Sequence, residues 1–283
     1  MISWRYMEKV EIEGKSYFYE VPSKIDVPED AVHIVQPCHN SIELTKLSIE
    51  CIKRYTDCHY VLWIVDNCSD SNTRKFLSRL DGVNVIFNRT KIGSSLPWRR
   101  TPYIGSRSNA IALELAAHVI NDCKYMFVMH NDCVPVNLGW LEFLKSKINK
   151  DVRIAGVSQD KTRICAVHQS GFIFDFELYK KLGLSFMPRM PEYDVGDGIT
   201  LGLLANGYNS FVCKNTFNNP EMLCYLDEGF LKQYIFDKSF NDDNELIYMH
   251  MGRGSNRWRD FFLKDGRVRK KEWIEYVREQ YLP

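Results

Sequence analysis

The sequence predicts an α/β fold with a Rossmann-like, mostly parallel central sheet flanked by helices, followed by a less regular C-terminal half. Three observations support this prediction. Between residues 32 and 129, short apolar runs alternate with segments of helical spacing, which is the rhythm of β-α-β units. The apolar runs are continuous, as expected of strands buried on both faces. Polar residues follow each run, at the sheet edge where such folds bind ligands.

The composition is that of an ordinary globular protein. Of 283 residues, 45% are hydrophobic and 26% are charged, which excludes collagen-like, coiled-coil and disordered classes. The 37 Lys and Arg residues nearly balance 36 Asp and Glu, so we expect no nucleic-acid binding through bulk charge. No run approaches the ~18 apolar residues of a membrane span, and the first residues lack the apolar stretch of a signal peptide. We therefore expect no integral membrane segment.

Nine cysteines bear on the cellular compartment. An odd number cannot pair completely within one chain, and no Cys-x-x-Cys spacing supports a structural zinc site or a redox pair. Most of them lie in apolar runs, where a free cysteine acts as a small hydrophobic residue. We therefore expect a reduced, cytoplasmic protein.

The predicted elements follow in order from the N-terminus. Residues 10–13 and 17–19 flank Gly14 and Lys15, which predicts a β-hairpin extension within residues 1–31. Strands are expected at residues 32–35, 60–65, 83–87 and 125–129, and helices at 42–55, 70–80 and 106–121.

Beyond Asp132 the pattern is less regular. Helices are expected at 139–148, 177–182 and 198–206, strands at 154–157, 170–175 and 208–213, and an amphipathic helical tail at 258–281. Residues 214–250 give no clear prediction. Without a repeat or an obvious linker, one continuous domain is expected.

Polar side chains follow all four strands of the predicted sheet. They lie in the segments Pro37-Cys38-His39-Asn40, where His39 and Asn40 are polar, 66–70 and 130–132, and at Asn88. Since the carboxyl ends of parallel strands share one edge, we expect a site there. No G-x-G-x-x-G follows the first strand, and no Walker A or G-x-S-x-G sequence occurs. These absences argue against a dinucleotide-binding fold, a P-loop enzyme and an α/β-hydrolase.

Five segments in this order resemble the nucleotide-sugar half of family 2 glycosyltransferases, which have the GT-A fold. They are VHIVQPCHN at 32–40, WIVDNCSD at 63–70, Asn88, GSRSN at 105–109 and FVMHNDCVP at 127–135. The resemblance covers residues 32–145 well and 165–215 loosely. It implies one GT-A domain at 32–250, with a nucleotide-sugar half at 32–145, an acceptor half at 146–250 and a helical tail at 251–283.

The same resemblance implies an enzyme, an inverting glycosyltransferase. It would move a sugar from a nucleotide-diphosphate donor of UDP, GDP or dTDP type to a hydroxyl group of a glycan or glycoconjugate acceptor. The cofactor it implies is a divalent metal, Mn²⁺ or Mg²⁺.

The resemblance places that metal at Asp132. The family's Asp-x-Asp motif stands here as His130-Asn131-Asp132, so His130 replaces the first Asp. Oxygen ligands bind such an ion, which neutralises the charge that develops on a diphosphate leaving group. His250, in a Gly-containing C-terminal segment, is a second candidate ligand through its neutral imidazole. The alternatives are a turn-capping Asp132 and a structural His250.

Nucleotide contacts are also implied by the resemblance. The candidates are Pro37, His39, Asn40, Asp66, Asn88, Arg107, Asn109 and Asn131. Asp66 would accept hydrogen bonds from a base imide or from ribose hydroxyls, and Arg107 near a helix N-terminus would face phosphate. Their alternatives are a turn or cap for Asp66 and a solvated helix face for Arg107.

Other residues have weaker claims to ligand contact. Gly252 and Gly254 would let backbone amides approach phosphate. We expect Lys91, Arg99 and Arg100 to be ordinary surface charges. Trp98, Trp140 and Trp258 are candidate platforms for stacking a sugar, with core packing as the commoner role of tryptophan.

An inverting transfer needs a carboxylate that takes the proton of the acceptor hydroxyl. By the resemblance, this base precedes a helix that ends in a Gly-aromatic pair, here Gly207-Tyr208. Asp197 matches best and Asp194 is the second candidate, with Gly196 in place of the usual Glu. The alternative is helix capping, which contributes ~0.3–1 kcal/mol and is compatible with catalysis.

Two other functions are considered. A sugar nucleotidyltransferase shares the scaffold and the metal, but it needs a Gly-rich basic loop after the first strand, which residues 37–40 do not provide. A catalytically inactive, carbohydrate-binding GT-A-like module would tolerate the incomplete Asp-x-Asp motif. The basic residues Arg267, Arg269, Lys270 and Lys271 indicate a solvated helix face, with a peripheral contact to an anionic membrane as the alternative. The sugar, the acceptor, the linkage and the oligomeric state do not follow from the sequence.

Overall fold

The structure is a computed structural model that describes residues 7–22, 24–25, 28, 30–92, 103–160, 164–254, 259–264 and 266–283. The strands are β1 (Glu8–Ile12), β2 (Lys15–Glu20), β3 (Val32–Cys38), β4 (Tyr60–Asn67), β5 (Asn84–Asn88), β6 (Tyr125–Met129), β7 (Cys133–Pro135), β8 (Val152–Gly156), β9 (Gln159–Asp160), β10 (Ala166–Val167), β11 (Gly171–Asp175), β12 (Asn209–Val212), β13 (Lys214–Asn215), β14 (Asp237–Phe240) and β15 (Leu246–His250). The helices are α1 (Ile42–Tyr55), α2 (Ser71–Leu77), α3 (Ile104–Val119), α4 (Trp140–Ser146), α5 (Phe176–Leu182), α6 (Asp197–Ala205), α7 (Phe230–Gln233) and α8 (Lys270–Tyr281), with short 3₁₀ helices at Pro220–Tyr225 and Arg259–Phe261.

Four parallel strands form the centre of the main sheet, in the order β5-β4-β3-β6. β3 pairs with β4 along its whole length, from Val32 opposite Tyr60 to Cys38 opposite Asp66, and with β6 on its other side. The direction of winding therefore reverses between β3 and β6. In open α/β sheets such a reversal leaves a ligand crevice beyond the carboxyl ends of the strands. The predicted α/β class with a parallel central sheet and flanking helices is confirmed.

Further strands extend this parallel centre on both sides. β11 pairs antiparallel with β6 and with β8, and β12 runs parallel to β8. On the other side, β1 and β2 form a hairpin, as the turn signal at Gly14 predicts, and β2 pairs antiparallel with β5. Within the described residues, the result is a nine-stranded sheet that is parallel at its centre and mixed at its flanks.

Helices bury both faces of the main sheet. α3 buries Ala110, Ile111 and neighbouring aliphatic residues against one face, because its apolar residues recur at helical spacing. α1, α2 and α4 cover the opposite face, where Trp140 is fully buried against Phe127. The Trp140 ring donates its Nε1–H to Thr56 Oγ1 at 3.0 Å. Trp140 is therefore a core residue, which is the alternative considered for it.

The segment without a sequence prediction forms a second sheet. Its strand order is β13-β14-β15-β7, and His250 at the end of β15 pairs with Cys133 of β7. Because β7 directly follows Asp132, this pairing carries His250 to the carboxyl ends of the central strands. The partners lie far apart along the chain, which is why local periodicity does not show them.

The C-terminal tail packs on α1. Helix α8 buries Trp273 and Val277 in a cluster with Leu44 and Leu47 of α1. The predicted helical stretch from 258 to 281 is shorter in the structure, where the α-helix begins at Lys270. Gly266 lies before it in the left-handed region, with φ 78°, and such a conformation interrupts a helix.

Across the described ranges, we find no helix that is both long enough and apolar enough to cross a membrane. All nine cysteines are free thiols. Burial raises the pKa of Cys51, Cys123 and Cys213 to about 12. These three thiols are therefore protonated at neutral pH and pack as apolar side chains.

Candidate active site

Polar side chains at the ends of β3, β4 and β5 form one hydrogen-bonded network. His39 Nδ1 lies 3.1 Å from the Asn67 carbonyl oxygen, and Asn40 Oδ1 accepts the Asp70 amide at 2.8 Å. Asn88 Nδ2 donates to Asn67 Oδ1 at 2.9 Å. Pro37 is half-buried and pairs in register with Val65. The three strand ends therefore meet at one edge of the sheet.

Asp66, near the end of β4, is fully buried. Its Oδ1 accepts the Ser69 amide at 3.1 Å, whereas its Oδ2 has no hydrogen-bond partner among the described residues. Burial raises the pKa of this carboxyl above its ordinary value, and the contacts with Ser69 counteract the shift. A buried acceptor without a donor costs free energy, so Asp66 Oδ2 is suited to a donor group on a ligand.

Asn88 and Asn131 have partners within the protein. Asn88 is fully buried, and its Oδ1 accepts the Thr90 amide at 2.9 Å while its Nδ2 bonds Asn67. Asn131 Nδ2 donates to Ser41 Oγ at 2.8 Å and to Thr45 Oγ1 at 3.2 Å. Both side chains thus connect neighbouring elements, and a nucleotide contact for either stays a prediction.

Helix α3 brings Arg107 and Asn109 to the same edge. Arg107 forms an ion pair with Glu13 of the hairpin, with Nη2 and Oε2 2.8 Å apart and both side chains about half exposed. Asn109 Nδ2 lies 3.3 Å from His130 Nε2 and donates to Gln169 Oε1 at 3.0 Å. Asn109 therefore contacts His130, and the phosphate contact of Arg107 stays a prediction.

Asp132 is buried in the turn between β6 and β7. Its Oδ2 accepts the Gly254 amide at 2.6 Å, and its carbonyl oxygen accepts the Met251 amide at 3.0 Å. Its Oδ1 lies 3.6 Å from His250 Nε2 and 3.9 Å from His130 Nδ1. The structure therefore brings the two sequence-predicted metal ligands, Asp132 and His250, to one place.

Opposing effects set the charge of these groups. Burial disfavours the Asp132 carboxylate, but His250, His130 and the Gly254 amide favour it, and the net effect holds its pKa below the ordinary value. Burial alone would lower the pKa of His250, whereas Asp132 and Asp237 raise it above the ordinary value. Burial lowers the pKa of His130 to about 3, so that ring is neutral at pH 7.

The donor atoms fit a divalent cation. His130, Asp132, Cys133 and His250 each place one possible ligand atom within 4.8 Å of the others. The buried His250 Nε2 has no hydrogen-bond partner in the described part of the chain. Its 3.6 Å separation from Asp132 Oδ1 can be spanned by one ion with ligands at ~2.1 Å.

The donor types favour some ions over others. Burial raises the pKa of the Cys133 thiol well above its ordinary value, and this side chain contacts Tyr248. The better donors are therefore Asp132, His250 and His130. A mixed set of imidazole nitrogens and a carboxylate suits a transition ion such as Mn²⁺ better than Mg²⁺, which prefers oxygen ligands and water.

The two candidate bases lie at the start of α6. Asp197 is buried, and its Oδ2 accepts the Asp194 amide at 2.7 Å. Asp194 Oδ1 accepts the Val195 amide at 2.8 Å. Both contacts lie in the turn that leads into α6, whose N-cap residue is Gly196 and neither aspartate. A position at the start of a helix is compatible with proton transfer.

Helix α6 is connected to the candidate metal ligands through β10. Thr200 Oγ1 of α6 accepts the Val167 amide at 3.2 Å. The next residue, His168, has its ring centroid 6.0 Å from those of both His130 and His250. The start of α6 and the metal candidates therefore belong to one region of the structure.

Sequence reasoning missed several residues of this site. Asp237 Oδ2 lies 3.3 Å from His250 Nδ1, and Gln169 bonds Asn109. Neither stands in a recognisable motif, and no signal in the sequence marks them. His130 could have been found, because an imidazole in place of the first Asp is itself a metal-ligand type. The Gly254 amide donates to Asp132, not to a phosphate as its glycine-rich setting suggests.

The remaining candidates are placed as follows. Trp98, Arg99, Arg100 and Trp258 lie outside the described residues. Lys91 is exposed beyond β5. In the basic tail, Lys271 forms an exposed ion pair with Glu275 of α8, which is the behaviour of a solvated helix face.

No protein-family model matches the chain, and no curated protein matches it. Among solved structures, the chain is similar to the mannosyltransferase PcManGT from Pyrobaculum calidifontis in complex with GDP-Man and Mn²⁺. The identity is 16% and the TM-score is 0.49, over 68% of this chain and 58% of that one. This chain therefore spans less than two thirds of the mannosyltransferase.

Two further solved structures show a similar architecture. One is TarS from S. aureus, with 13% identity and a TM-score of 0.43 over 64% of this chain and 57% of that chain. The other is glucosyl-3-phosphoglycerate synthase from Mycobacterium tuberculosis in complex with phosphoglyceric acid, with 13% identity and a TM-score of 0.44 over 65% and 70% of the two chains.

Proposed function

We propose that the chain is an inverting glycosyltransferase that moves a sugar from a nucleotide-diphosphate donor to a hydroxyl group of a glycan or glycoconjugate, assisted by a divalent metal. One observation carries the proposal. Asp132 Oδ1 and the buried His250 Nε2, which has no hydrogen-bond partner among the described residues, lie 3.6 Å apart just beyond β6, where the motif resemblance of residues 127–135 expects the donor diphosphate.

The donor nucleoside would bind at the ends of β3 and β4. Asp66 Oδ2 has no donor among the described residues, and a base imide or a ribose hydroxyl would supply one. His39 and Asn40 are exposed beside it, at the end of the neighbouring strand β3. This edge could therefore take the nucleoside while the diphosphate extends toward Asp132.

Asp132, His250 and His130 would hold the metal. When bound, the ion neutralises the negative charge that develops on the departing diphosphate. The Gly254 amide holds one carboxylate oxygen of Asp132 and leaves the other directed at His250. His130 is neutral at pH 7 because burial lowers its pKa to about 3, and the neutral ring is the form that binds metals.

Asp197 is proposed as the base, with Asp194 as the alternative. The carboxylate takes the proton of the acceptor hydroxyl as its oxygen bonds to the anomeric carbon of the sugar. The bond between that carbon and the diphosphate oxygen breaks, and the nucleoside diphosphate leaves. Attack from the side opposite the leaving group inverts the anomeric centre. Asp197 is buried at the start of α6. Thr200 of α6 accepts a hydrogen bond from Val167 of β10, and the next residue, His168, lies near His130 and His250.

Calorimetric titration with UDP, GDP and dTDP tests the donor and metal sites. We expect one of them to bind in Mn²⁺, and EDTA or Asp132→Asn to abolish the binding. Asp243→Asn is the matched control, because Asp243 is exposed in the turn between β14 and β15. In a transfer assay, Asp197→Asn should lower kcat by ~10²–10⁴-fold and leave the affinity for the diphosphate unchanged.

The outcomes separate this function from its alternatives. If none of the three diphosphates binds, the proposal is overturned in favour of an inactive carbohydrate-binding module. If the protein releases pyrophosphate from a nucleoside triphosphate and a sugar phosphate, it is a nucleotidyltransferase. Full transfer activity in Asp197→Asn would remove that residue from the mechanism and direct attention to Asp194.

We also propose a cytoplasmic location. Nine free thiols are compatible with a reducing compartment, since disulfides form and persist in oxidising ones. Fractionation of the native cell extract checks this, and recovery with a membrane fraction at low salt would instead support the peripheral contact of Arg267, Arg269, Lys270 and Lys271.

A further inference from the structure

We propose that Asp237 is a positioning residue for the metal site: it keeps the ring proton of His250 on Nδ1 and so directs the Nε2 lone pair toward Asp132. The inference rests on the proposed metal-assisted function and deepens it. It concerns a residue that the sequence motifs do not include. Its basis is that Asp237 contacts one ring nitrogen of His250 while the other ring nitrogen faces Asp132.

Asp237 and His250 face each other across two paired strands. Asp237 begins β14 and His250 ends β15, and the two residues are direct partners in the antiparallel register. Side chains of directly opposite residues lie on the same face of a sheet. The 3.3 Å approach of Asp237 Oδ2 to His250 Nδ1 is therefore supported by the backbone ladder on both sides.

The hydrogen-bonding capacity of the two groups determines where the proton lies. A carboxylate can only accept, so the hydrogen between Asp237 and His250 belongs to Nδ1. The neutral imidazole then has its lone pair on Nε2. That atom is buried without a hydrogen-bond partner among the described residues.

The Nε2 lone pair points to the other carboxylate of the cluster. Its 3.6 Å distance from Asp132 Oδ1 is too long for a hydrogen bond, yet both atoms can reach one cation. A carboxylate behind a metal-binding histidine fixes the tautomer and ring orientation and makes the histidine a better ligand. Asp237 occupies this position relative to His250.

A purely structural role for Asp237 makes different predictions. If Asp237 only joined β14 to β15, its removal would lower the stability without changing the tautomer of His250 or the metal affinity of correctly folded protein. Measurements of affinity and tautomer therefore distinguish the two roles, and neither depends on the donor or the acceptor.

The experiment compares the full chain with Asp237→Ala, Asp237→Asn and the control Asp243→Ala. Mn²⁺ is titrated by calorimetry without nucleotide, and the histidine rings of the metal-free protein are observed by ¹⁵N NMR at alkaline pH. We expect Asp237→Ala to weaken Mn²⁺ binding ~10–100-fold and to shift His250 toward the Nε2–H tautomer. Asp237→Asn keeps an acceptor carbonyl and should lose less affinity, while Asp243→Ala matches the wild type.

The failures of the two proposals can be told apart. If the wild type binds Mn²⁺ through Asp132, but Asp237→Ala and Asp237→Asn retain both its affinity and its tautomer, the positioning role is overturned and the proposed function stands. If the wild type binds no Mn²⁺, the metal-assisted function fails, and the inference that rests on it fails with it. If Asp237→Ala does not fold, the Mn²⁺ affinity of Asp237→Asn decides, since this variant preserves the shape of the side chain and removes only its charge; wild-type affinity would then overturn the positioning role.

Discussion

Replacing Gly254 with alanine tests whether the backbone at this residue holds Asp132 in place. An added Cβ would lie 2.3 Å from Asp132 Cβ, 2.9 Å from Asp132 Cγ and 2.8 Å from Leu44 Cδ1. Ordinary contacts between carbon atoms are ~3.5–4.0 Å. Asp132 and the segment around Gly254 would therefore have to separate by more than ~1 Å.

The expected effect has two parts. The Gly254 amide donates to Asp132 Oδ2 at 2.6 Å, and a hydrogen bond to a charged group contributes ~1.5–3 kcal/mol. Forcing an extra carbon into a packed site costs a further ~1–3 kcal/mol. We expect the free energy of unfolding to fall by ~2.5–6 kcal/mol. Transfer should slow by ~10²-fold, because a ~1 Å displacement of a site residue has an effect of that size.

Denaturant unfolding and a transfer assay measure these effects, and calorimetric titration should show weaker Mn²⁺ binding because Asp132 is displaced. Gly105→Ala is the control, because an added Cβ there meets nothing within 4 Å and alanine favours a helix over glycine by up to ~1 kcal/mol. That variant should bind Mn²⁺ as the wild type does. If Gly254→Ala retains wild-type stability and Mn²⁺ affinity, Gly254 does not hold Asp132 as described.

Three further predictions have defined outcomes. Asp66→Asn should weaken nucleoside diphosphate binding by at least ~10-fold, since a hydrogen bond to a charged acceptor is lost, while Mn²⁺ affinity stays constant. If calorimetry gives the wild type and Asp66→Asn the same affinity for the nucleoside diphosphate, the role of Asp66 is contradicted. Burial lowers the pKa of Lys238 to about 8, below the ~10.4 of an unfolded lysine. Between about pH 8 and pH ~10.4, Lys238 is protonated in the unfolded state and neutral in the folded state. The free energy of unfolding should therefore rise with pH across this range by up to ~3 kcal/mol. Lys238→Met should flatten the rise in denaturant unfolding, and an identical pH profile would refute the assignment. Glu13→Gln removes the ion pair with Arg107 and should change the free energy of unfolding by less than ~1 kcal/mol, as for other exposed pairs. Arg107→Gln should weaken binding of the nucleoside diphosphate. Calorimetric titration of both variants with the nucleoside diphosphate checks whether Arg107 faces phosphate.

The parallel centre of the sheet is predictable because its strands are continuous apolar runs between amphipathic helices. Helix α1 spans Ile42–Tyr55, the stretch predicted from its spacing, since the same residues define both its period and its buried face. The second sheet is not predictable in this way. β7 has three residues and β13 has two, and strands this short leave no period in the sequence.

The candidate site also has a part that local sequence predicts and a part that it does not. The positions of Asp66 and Asp132 follow from the ends of β4 and β6, which local sequence determines. The direction of a side chain depends on partners from other elements: Arg107 turns to Glu13 of the hairpin, and His250 to Asp237 of β14. Those contacts come from long-range pairing, so they become visible only in three dimensions.

Among the strands that the structure describes, β1 is the outermost of the main sheet on the side of β5. Glu8, Lys9 and Glu11 on this strand are all exposed. Charged side chains on an edge strand discourage another molecule from adding a strand there, because pairing would strip their water and bring like charges together. Every residue of β5 is buried, and without the hairpin β5 would be an exposed apolar edge strand with which another molecule could pair. The hairpin therefore also protects the protein from edge-to-edge aggregation.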